Sequence, residues 1–288
     1  MLLRSQKFQY LFESARRYTE PVICPFCNTG KAKLIDRKYF VTRLFECNAC
    51  HLYFRHPVEK QASNETFYQE GYVEDDNITT SLPTVDELEV LKKDGFLVGN
   101  KNATRYCELF SALTKGKEHV RVIDYGCSWG YISWQLKHAG FDVESYEISK
   151  PRAAYGNKNL ALNILTKEND IRPGNDIFFS SHVIEHHPSI GEMISLAKNK
   201  LKNGGYFIAI SPNGSNSYRK KDPAGFHLAW GKVHPNYLNV DFYRTIFKDF
   251  PYYIGSSPFN FPAIQAFNAE DQIIDDLSSE ELIVIVKF

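Results

Sequence analysis

From His119 onward, short apolar runs alternate with amphipathic ones, the pattern of strands laid side by side and covered by helices. Strands are expected at 119–124, 142–148, 162–166, 175–181, 205–211, 251–256 and 281–288, and helices at 129–139, 150–160, 189–202 and 240–248. The run Glu281-Leu-Ile-Val-Ile-Val-Lys-Phe288 is apolar on both faces, as a strand inserted in the middle of a sheet must be. Ahead of this block, Thr84 to Leu113 reads as mostly helical, with Leu88, Leu91, Phe96, Tyr106, Leu109 and Phe110 as its buried face. Residues 59–83 show no period and read as a linker, while Lys33 to Phe45 alternates as a short hairpin. The expected fold is α/β, a Rossmann-like doubly wound sheet of seven strands, spanning 84–288 behind a small unit at 1–58.

Composition narrows the function classes. The 288 residues are 43% hydrophobic, enough for a substantial core. Lysine plus arginine equals aspartate plus glutamate at 34 each, so nucleic acid and anionic membranes are not expected partners. No stretch approaches the ~18 apolar residues of a membrane span, and the first residues lack a secretory apolar run. The six cysteines read as thiols of a reducing compartment, so a cytoplasmic location is expected.

Four of those cysteines form two knuckles, Cys24-Pro-Phe-Cys27 and Cys47-Asn-Ala-Cys50, separated by nineteen residues. Paired Cys-x-x-Cys knuckles place four thiolates around one ion, so Cys24, Cys27, Cys47 and Cys50 are expected to hold a structural Zn²⁺. In so small a unit the metal would supply much of the folding energy. The ribbon's aromatic residues Phe40, Phe45, Tyr53 and Phe54 favour packing over nucleic-acid binding.

The densest chemistry begins where the first strand of the α/β block ends, at Asp124-Tyr125-Gly126-Cys-Ser-Trp-Gly130. A strand, a glycine turn and a helix amino terminus together cradle a nucleoside-like cofactor. The spacing departs from Gly-x-Gly-x-x-Gly, which disfavours an NAD-dependent oxidoreductase. Glu147 ends the second strand, 23 residues after Asp124, where a carboxylate accepts from ribose hydroxyls. Asp170, after the third strand, is placed to read an adenine amino group.

With the fourth-strand segment 176–186 and the fifth-strand segment Gly205–Asn213, these residues make residues 85–288 resemble the class I S-adenosylmethionine-dependent methyltransferases. The resemblance implies that Asp124 faces the methionine end, that the turn Tyr125, Gly126 to Gly130 carries the cofactor, and that Glu147 holds the ribose. Ser128 stands where relatives commonly have glycine. The four-cysteine ribbon followed by Arg55-His-Pro57 is similar to that of bacterial methyltransferases of sugar and polysaccharide modification, which implies a small-molecule or carrier-linked sugar acceptor.

The segment His182-Val-Ile-Glu185-His186-His187-Pro188 admits three readings. His-x-x-Glu-His is the pattern of inverted zinc peptidases, but a strand precedes it and Pro188 cuts the turn short. In the second, His182, Glu185 and His186 are catalytic: a histidine takes a proton from a substrate hydroxyl, or the cluster holds a divalent ion. That segment resembles the Glu-x-x-Glu-His metal site of ubiquinone-pathway and RNA-terminal O-methyltransferases, with His182 replacing the first glutamate and favouring a softer ion than Mg²⁺. His227 and His234 are placed to approach the same point. In the third, Glu185 and His186 only shape the cofactor floor.

Ser211-Pro-Asn213 is not the Asn-Pro-Pro-aromatic motif of DNA adenine methylation, and the segment 214–239 is expected to cover the acceptor. The expected activity is O-methylation of a sugar or small-metabolite hydroxyl. The alternatives are C- or N-methylation of a nucleotide-linked sugar, and a zinc-ribbon docking protein whose methyltransferase domain is not catalytic.

Overall fold

The computed structural model describes residues 4–58, 81–115, 117–268 and 270–288, so most of the expected linker lies outside the described residues. The chain opens with α1 (Arg4–Arg16), then a ribbon of β1 (Ala32–Lys38), β2 (Thr42–Cys47) and β3 (Tyr53–His56). The expected hairpin is β1 with β2, closed by Lys38 against Thr42. The stretch read as mostly helical splits into α2 (Val85–Lys93) and α3 (Thr104–Thr114). Thr84 and Glu87 cap α2 reciprocally, and Asn102 accepts from the Thr104 N–H that opens α3.

The α/β body follows as β4 (Arg121–Tyr125), α4 (Tyr131–His138), β5 (Asp142–Tyr146), α5 (Lys150–Asn159), β6 (Ile164–Leu165) and β7 (Asn175–Ser181). It continues through α6 (Ile190–Lys200) into β8 (Leu201–Pro212). The segment 214–239, read as a covering loop, holds two short helices, α7 (Asn216–Lys221) and α8 (Pro223–Ala229), and a strand, β9 (Asn236–Tyr237). Then come α9 (Val240–Ile246), β10 (Tyr252–Ser256), α10 (Phe261–Ala266), β11 (Gln272–Ile274) and β12 (Glu281–Lys287).

The large sheet runs β11-β10-β12-β8-β7-β4-β5-β6. Its centre is parallel, and β12 enters antiparallel between β8 and β10, where Leu282 to Val286 are all buried. The seven expected strands are present, and β11 adds a short eighth along the edge, parallel to β10. Strand order reverses beside β4, between β5 and β7, which opens a crevice at the carboxyl ends of these strands.

Each face of this sheet has its own core. On one side α3, α4 and α10 bury Leu109, Phe110, Leu136 and Ile264 against Val122, Ile177, Ile208 and Ile283. On the other, α6 and α9 bury Met193, Ala197, Phe242 and Tyr243 against Ile123, Phe178 and Val284. That second core runs on into the ribbon through Phe45, Leu52 and Phe54, and Phe26 stands edge-on to Phe242 at 5.1 Å. The ribbon sheet itself has order β1-β2-β3-β9, so a strand from the covering segment completes it. A further cluster of Leu44 and Tyr53 with Tyr218, Phe226, Trp230 and Tyr237 seals that seam.

Candidate active site

The turn after β4 is built by backbone geometry. Gly126 and Gly130 have φ of +78° and +86°, and the N–H groups of Gly126 and Cys127 donate to the Tyr146 carbonyl at 2.8 and 2.9 Å. A Cβ on Gly126 would stand 2.4 Å from Val183 Cγ2, so the glycine turn packs directly against the histidine-rich segment after β7. Ser128 takes φ of +54°, and its hydroxyl accepts from Arg152 at 2.7 Å. Tyr125 makes a second link: stacked on Tyr146, it brings its hydroxyl to Glu168 and to His187 Nε2 at 3.3 Å.

The carboxylates expected around the cofactor occupy three different environments. Glu147 is buried and accepts from the Ser128 N–H at 2.8 Å and the Ser149 N–H at 2.7 Å, which ties the end of β5 to the glycine turn. Burial raises its pKa against those two bonds. Asp124 is buried beneath the turn, where the Ser133 hydroxyl donates to it at 2.6 Å and is held in turn by Ser145. Burial, opposed by the Ser133 bond and reinforced by the charge of Glu147, pushes Asp124 up to about 7. Asp170 sits exposed on a single 3-10 turn, Glu168–Asp170.

The segment after β7 is a sequence of tight turns, with the N–H groups of His186 and His187 donating to the carbonyls of Val183 and Ile184. His182 starts it at φ of +54°. Its Nε2 meets Glu281 at 3.0 Å and its Nδ1 faces Glu185 at 3.4 Å, and Arg105 grips Glu281 through both guanidinium nitrogens at 2.7 and 3.1 Å. Burial opposes the charge on His182, but the two carboxylates outweigh it and lift its pKa to about 10. Both ring nitrogens of His182 thus face carboxylates, Glu281 on one side and Glu185 on the other.

His186 is the opposite case. Burial, together with His234, lowers it to about 4 despite the pull of Glu185. Its Nδ1 lies 2.5 Å from the Val233 carbonyl, which can only accept, so the neutral ring carries its hydrogen there and keeps the lone pair on Nε2. That nitrogen is 3.8 Å from Glu185 Oε1. Glu185 has no exposed surface; burial alone would raise it, yet His182, His186 and His234 hold it down at about 2. The expected approach of His234 is realised, its ring centroid 4.7 Å from that of His186. His227 turns away instead and meets Asp36 of β1 at 2.7 Å, because α8 packs on the ribbon.

Several site residues carry no motif. Val233 sets the His186 tautomer, Asn236 donates to the His187 carbonyl at 2.9 Å, and its N–H reaches the Glu185 carbonyl at 3.2 Å. Asn236 lies on β9 and pairs with Phe54 of the ribbon, so the ribbon braces the turn from behind. Arg105 and Glu281 belong here as well. Only their arrival from α3 and β12 reveals it.

The family model described as a methyltransferase domain matches residues 99–254, more than half of the chain. The chain belongs to this methyltransferase family. Its fold is that of the class I enzymes that use S-adenosylmethionine. No curated protein sequence matches the methyltransferase. Among solved structures, the plantazolicin methyltransferase BpumL in complex with a pentazolic desmethyl-plantazolicin analogue and S-adenosylhomocysteine has 15% identity and a TM-score of 0.50. The plantazolicin methyltransferase BamL with a triazolic analogue has 12% identity and a TM-score of 0.51. Each alignment covers 78% of this chain and 95% of the other, and at such identity the likeness is one of fold.

The ribbon cysteines converge as their spacing led us to expect. Cys24 and Cys50 sulfurs are 3.6 Å apart, Cys27 and Cys47 sulfurs 3.4 Å, and all four lie within 4.8 Å of one another. Tetrahedral zinc with bonds of about 2.3 Å needs edges of about 3.8 Å, so the donor set fits that ion. Among the described residues no helix is long and apolar enough to cross a membrane.

Proposed function

We propose that this methyltransferase methylates a hydroxyl of a sugar or a similar polyhydroxylated small molecule, free or carried on another group. The observation that carries this reading is the His186 ring, which meets the Val233 carbonyl through Nδ1 in a segment that packs, through Val183, directly against the glycine turn. When bound, S-adenosylmethionine supplies an electrophilic methyl group on a sulfonium. Transfer joins the acceptor oxygen to that carbon as the carbon–sulfur bond breaks, and the hydroxyl proton must leave. A nitrogen nucleophile already neutral needs no such help, so an imidazole in this segment favours oxygen.

In this reading Glu147 accepts from the ribose hydroxyls, Gly126 and Gly130 let the backbone approach the cofactor, and Tyr125 with Asp170 borders the adenosine. Asp124 offers its charge toward the methionine end. Cys24, Cys27, Cys47 and Cys50 hold Zn²⁺, and the ribbon (1–58), joined by 59–83 to the catalytic part (84–288), buttresses the segment 214–239 over the acceptor. Cysteines that form no disulfide suit a cytoplasmic enzyme.

The test pairs calorimetry with transfer. The protein should bind S-adenosylhomocysteine, and transfer from S-adenosylmethionine to a panel of sugars and nucleotide sugars should be lost in His186→Ala while S-adenosylhomocysteine affinity stays within about twofold. Absence of cofactor binding would leave the docking-protein reading in its place. Methylation of amines alone would overturn the choice of oxygen.

A further inference from the structure

We infer that Asn236 and Asn239 are positioning residues for methyl transfer, and that through them the ribbon's zinc site sets the turn after β7 while the cofactor cradle is held separately. The part in transfer rests on the hydroxyl-methylating reading; the coupling between ribbon and turn does not. The path begins at the second knuckle. The His51 N–H donates to the Cys47 carbonyl at 2.9 Å, and the His51 carbonyl, one residue past Cys50, accepts from Asn239 Nδ2 at 2.7 Å. Asn239 is buried and caps α9, its Oδ1 accepting from the Phe242 N–H at 3.0 Å. One side chain thus joins a metal-binding loop to the start of α9, three residues past Asn236.

The path ends around His186. β9 has two residues, too few to stand unaided, and β3 carries it. The Arg55 N–H donates to the Pro235 carbonyl at 2.7 Å, and Tyr53 and Phe54 pair with Tyr237 and Asn236. Asn236 in turn donates its N–H to the Glu185 carbonyl at 3.2 Å and its Nδ2 to the His187 carbonyl at 2.9 Å. Those two carbonyls flank His186. Val233, whose carbonyl meets His186 Nδ1, lies two residues before Pro235. The backbone on both sides of His186 and the partner of its ring are therefore placed by one short segment that the ribbon holds.

The cofactor side is tied elsewhere. The N–H groups of Gly126 and Cys127 donate to the Tyr146 carbonyl, the Ser128 N–H to Glu147, and Arg152 of α5 to the Ser128 hydroxyl, bonds that run among β4, β5 and α5. The two supports differ in what they need. Four sulfurs within 4.8 Å of one another repel as thiolates unless an ion lies between them, so the order of the second knuckle, and with it the His51 carbonyl, follows zinc occupancy. Beyond β9 the chain stays attached to the main sheet, since the Gly214 N–H donates to the Leu238 carbonyl at 2.7 Å. Loss of the ion then frees the segment 233–237 about that point. The turn around His186 loosens while the cradle keeps its bonds, which leaves a chain that binds cofactor and transfers poorly.

The experiment compares the full chain loaded with zinc and the same chain after a chelator, following zinc per chain, S-adenosylhomocysteine affinity and amide exchange. Removing zinc should speed exchange of the His186 and His187 amides about tenfold or more, the weight of one lost hydrogen bond. Affinity for S-adenosylhomocysteine should stay within about twofold, and exchange at 126–133 should not change. With zinc bound, Asn236→Ala and Asn239→Ala should each speed the same two amides, and chelation should then add less than about twofold in Asn236→Ala, where the link is already cut. On the sugar panel, kcat should fall about tenfold in the chelated wild type and in Asn236→Ala, with KM for S-adenosylmethionine unmoved, and returned zinc should restore the wild type alone. Unchanged exchange at His186 and His187 on chelation overturns the coupling, as does a full chelation effect in Asn236→Ala or a chain that takes up no zinc. Exchange that rises equally at 126–133, with cofactor binding lost, overturns it too, because the ribbon then supports the whole body. Coupled exchange with no hydroxyl methylated sinks the hydroxyl reading and its share in transfer; methylated hydroxyls with uncoupled exchange sink the coupling alone.

Discussion

Replacing Asp124 with Asn should stabilise the protein in alkaline solution and do progressively less as the pH falls. In the unfolded chain the carboxyl loses its proton near the ordinary value of 3.8, whereas in the fold it keeps it up to about 7, because burial and the charge of Glu147 outweigh the Ser133 bond. The sign follows from that order. A carboxyl whose pKa rises on folding stabilises the fold below the unfolded value, and that contribution drains away as pH rises to the folded value. At ~1.4 kcal/mol per tenfold change in proton affinity, ionising Asp124 in place costs about 4 kcal/mol, fully felt near pH 8. Near pH 5 the same reasoning leaves about 1.6 kcal/mol. The amide itself changes the Ser133 bond by an amount that does not depend on pH, so the difference between the two conditions isolates the charge. Urea unfolding followed by tryptophan fluorescence, with zinc present throughout, should show Asp124→Asn gaining about 2.5 kcal/mol more near pH 8 than near pH 5. An equal gain at both would refute the argument.

Wild-type affinity for the cationic S-adenosylmethionine should rise as pH passes through 7 and stay flat in Asp124→Asn, since only an ionised carboxylate attracts the sulfonium; parallel calorimetric profiles would count against that placement. Glu147→Ala should lose two backbone partners and a ribose contact, weakening cofactor binding by ~1–3 kcal/mol, and unchanged affinity would remove Glu147 from the ribose. Gly126→Ala forces a Cβ to within 2.4 Å of Val183 at positive φ, which should cost ~1–3 kcal/mol in thermal or urea unfolding; Val183→Ala should recover part of it, and a neutral Gly126→Ala would contradict the close packing of the two motifs. Asp36→Ala should loosen α8 by removing its bonds to His227 and the Trp230 ring nitrogen, read as faster amide exchange around 223–237, with cofactor affinity unmoved.

The legible parts of the fold were those with a local cause. Apolar runs bounded by turns marked all seven main strands, and the doubly apolar 281–288 foretold its central position because a strand flanked by two others has no wet face. The glycine turn, Glu147 and the four cysteines were readable because each depends on backbone geometry or metal spacing within a short segment. What stayed hidden depends on segments far apart in the chain. Nothing around Asn236 says that two residues of the covering segment complete the ribbon sheet. Arg105 and Glu281 become neighbours only when α3 and β12 pack on the same sheet end. The histidine segment was visible as chemistry, but its division of roles was not. Two carboxylates around His182 and one carbonyl opposite His186 decide which ring is charged, and none of these lies within the motif except Glu185.

The antiparallel insertion of β12 has a consequence for folding. β8 and β10 do not touch; each is bonded to β12, so no hairpin or crossover can join them beforehand. Until β12 pairs, β8 keeps an open edge, and β10 with β11 has no place in the main sheet. The arrival of seven residues then closes both gaps at once. Such long-range pairing raises contact order and leaves an apolar edge open to other chains until it forms. It also makes the catalytic side wait, since Glu281, which holds His182, is the first residue of that strand.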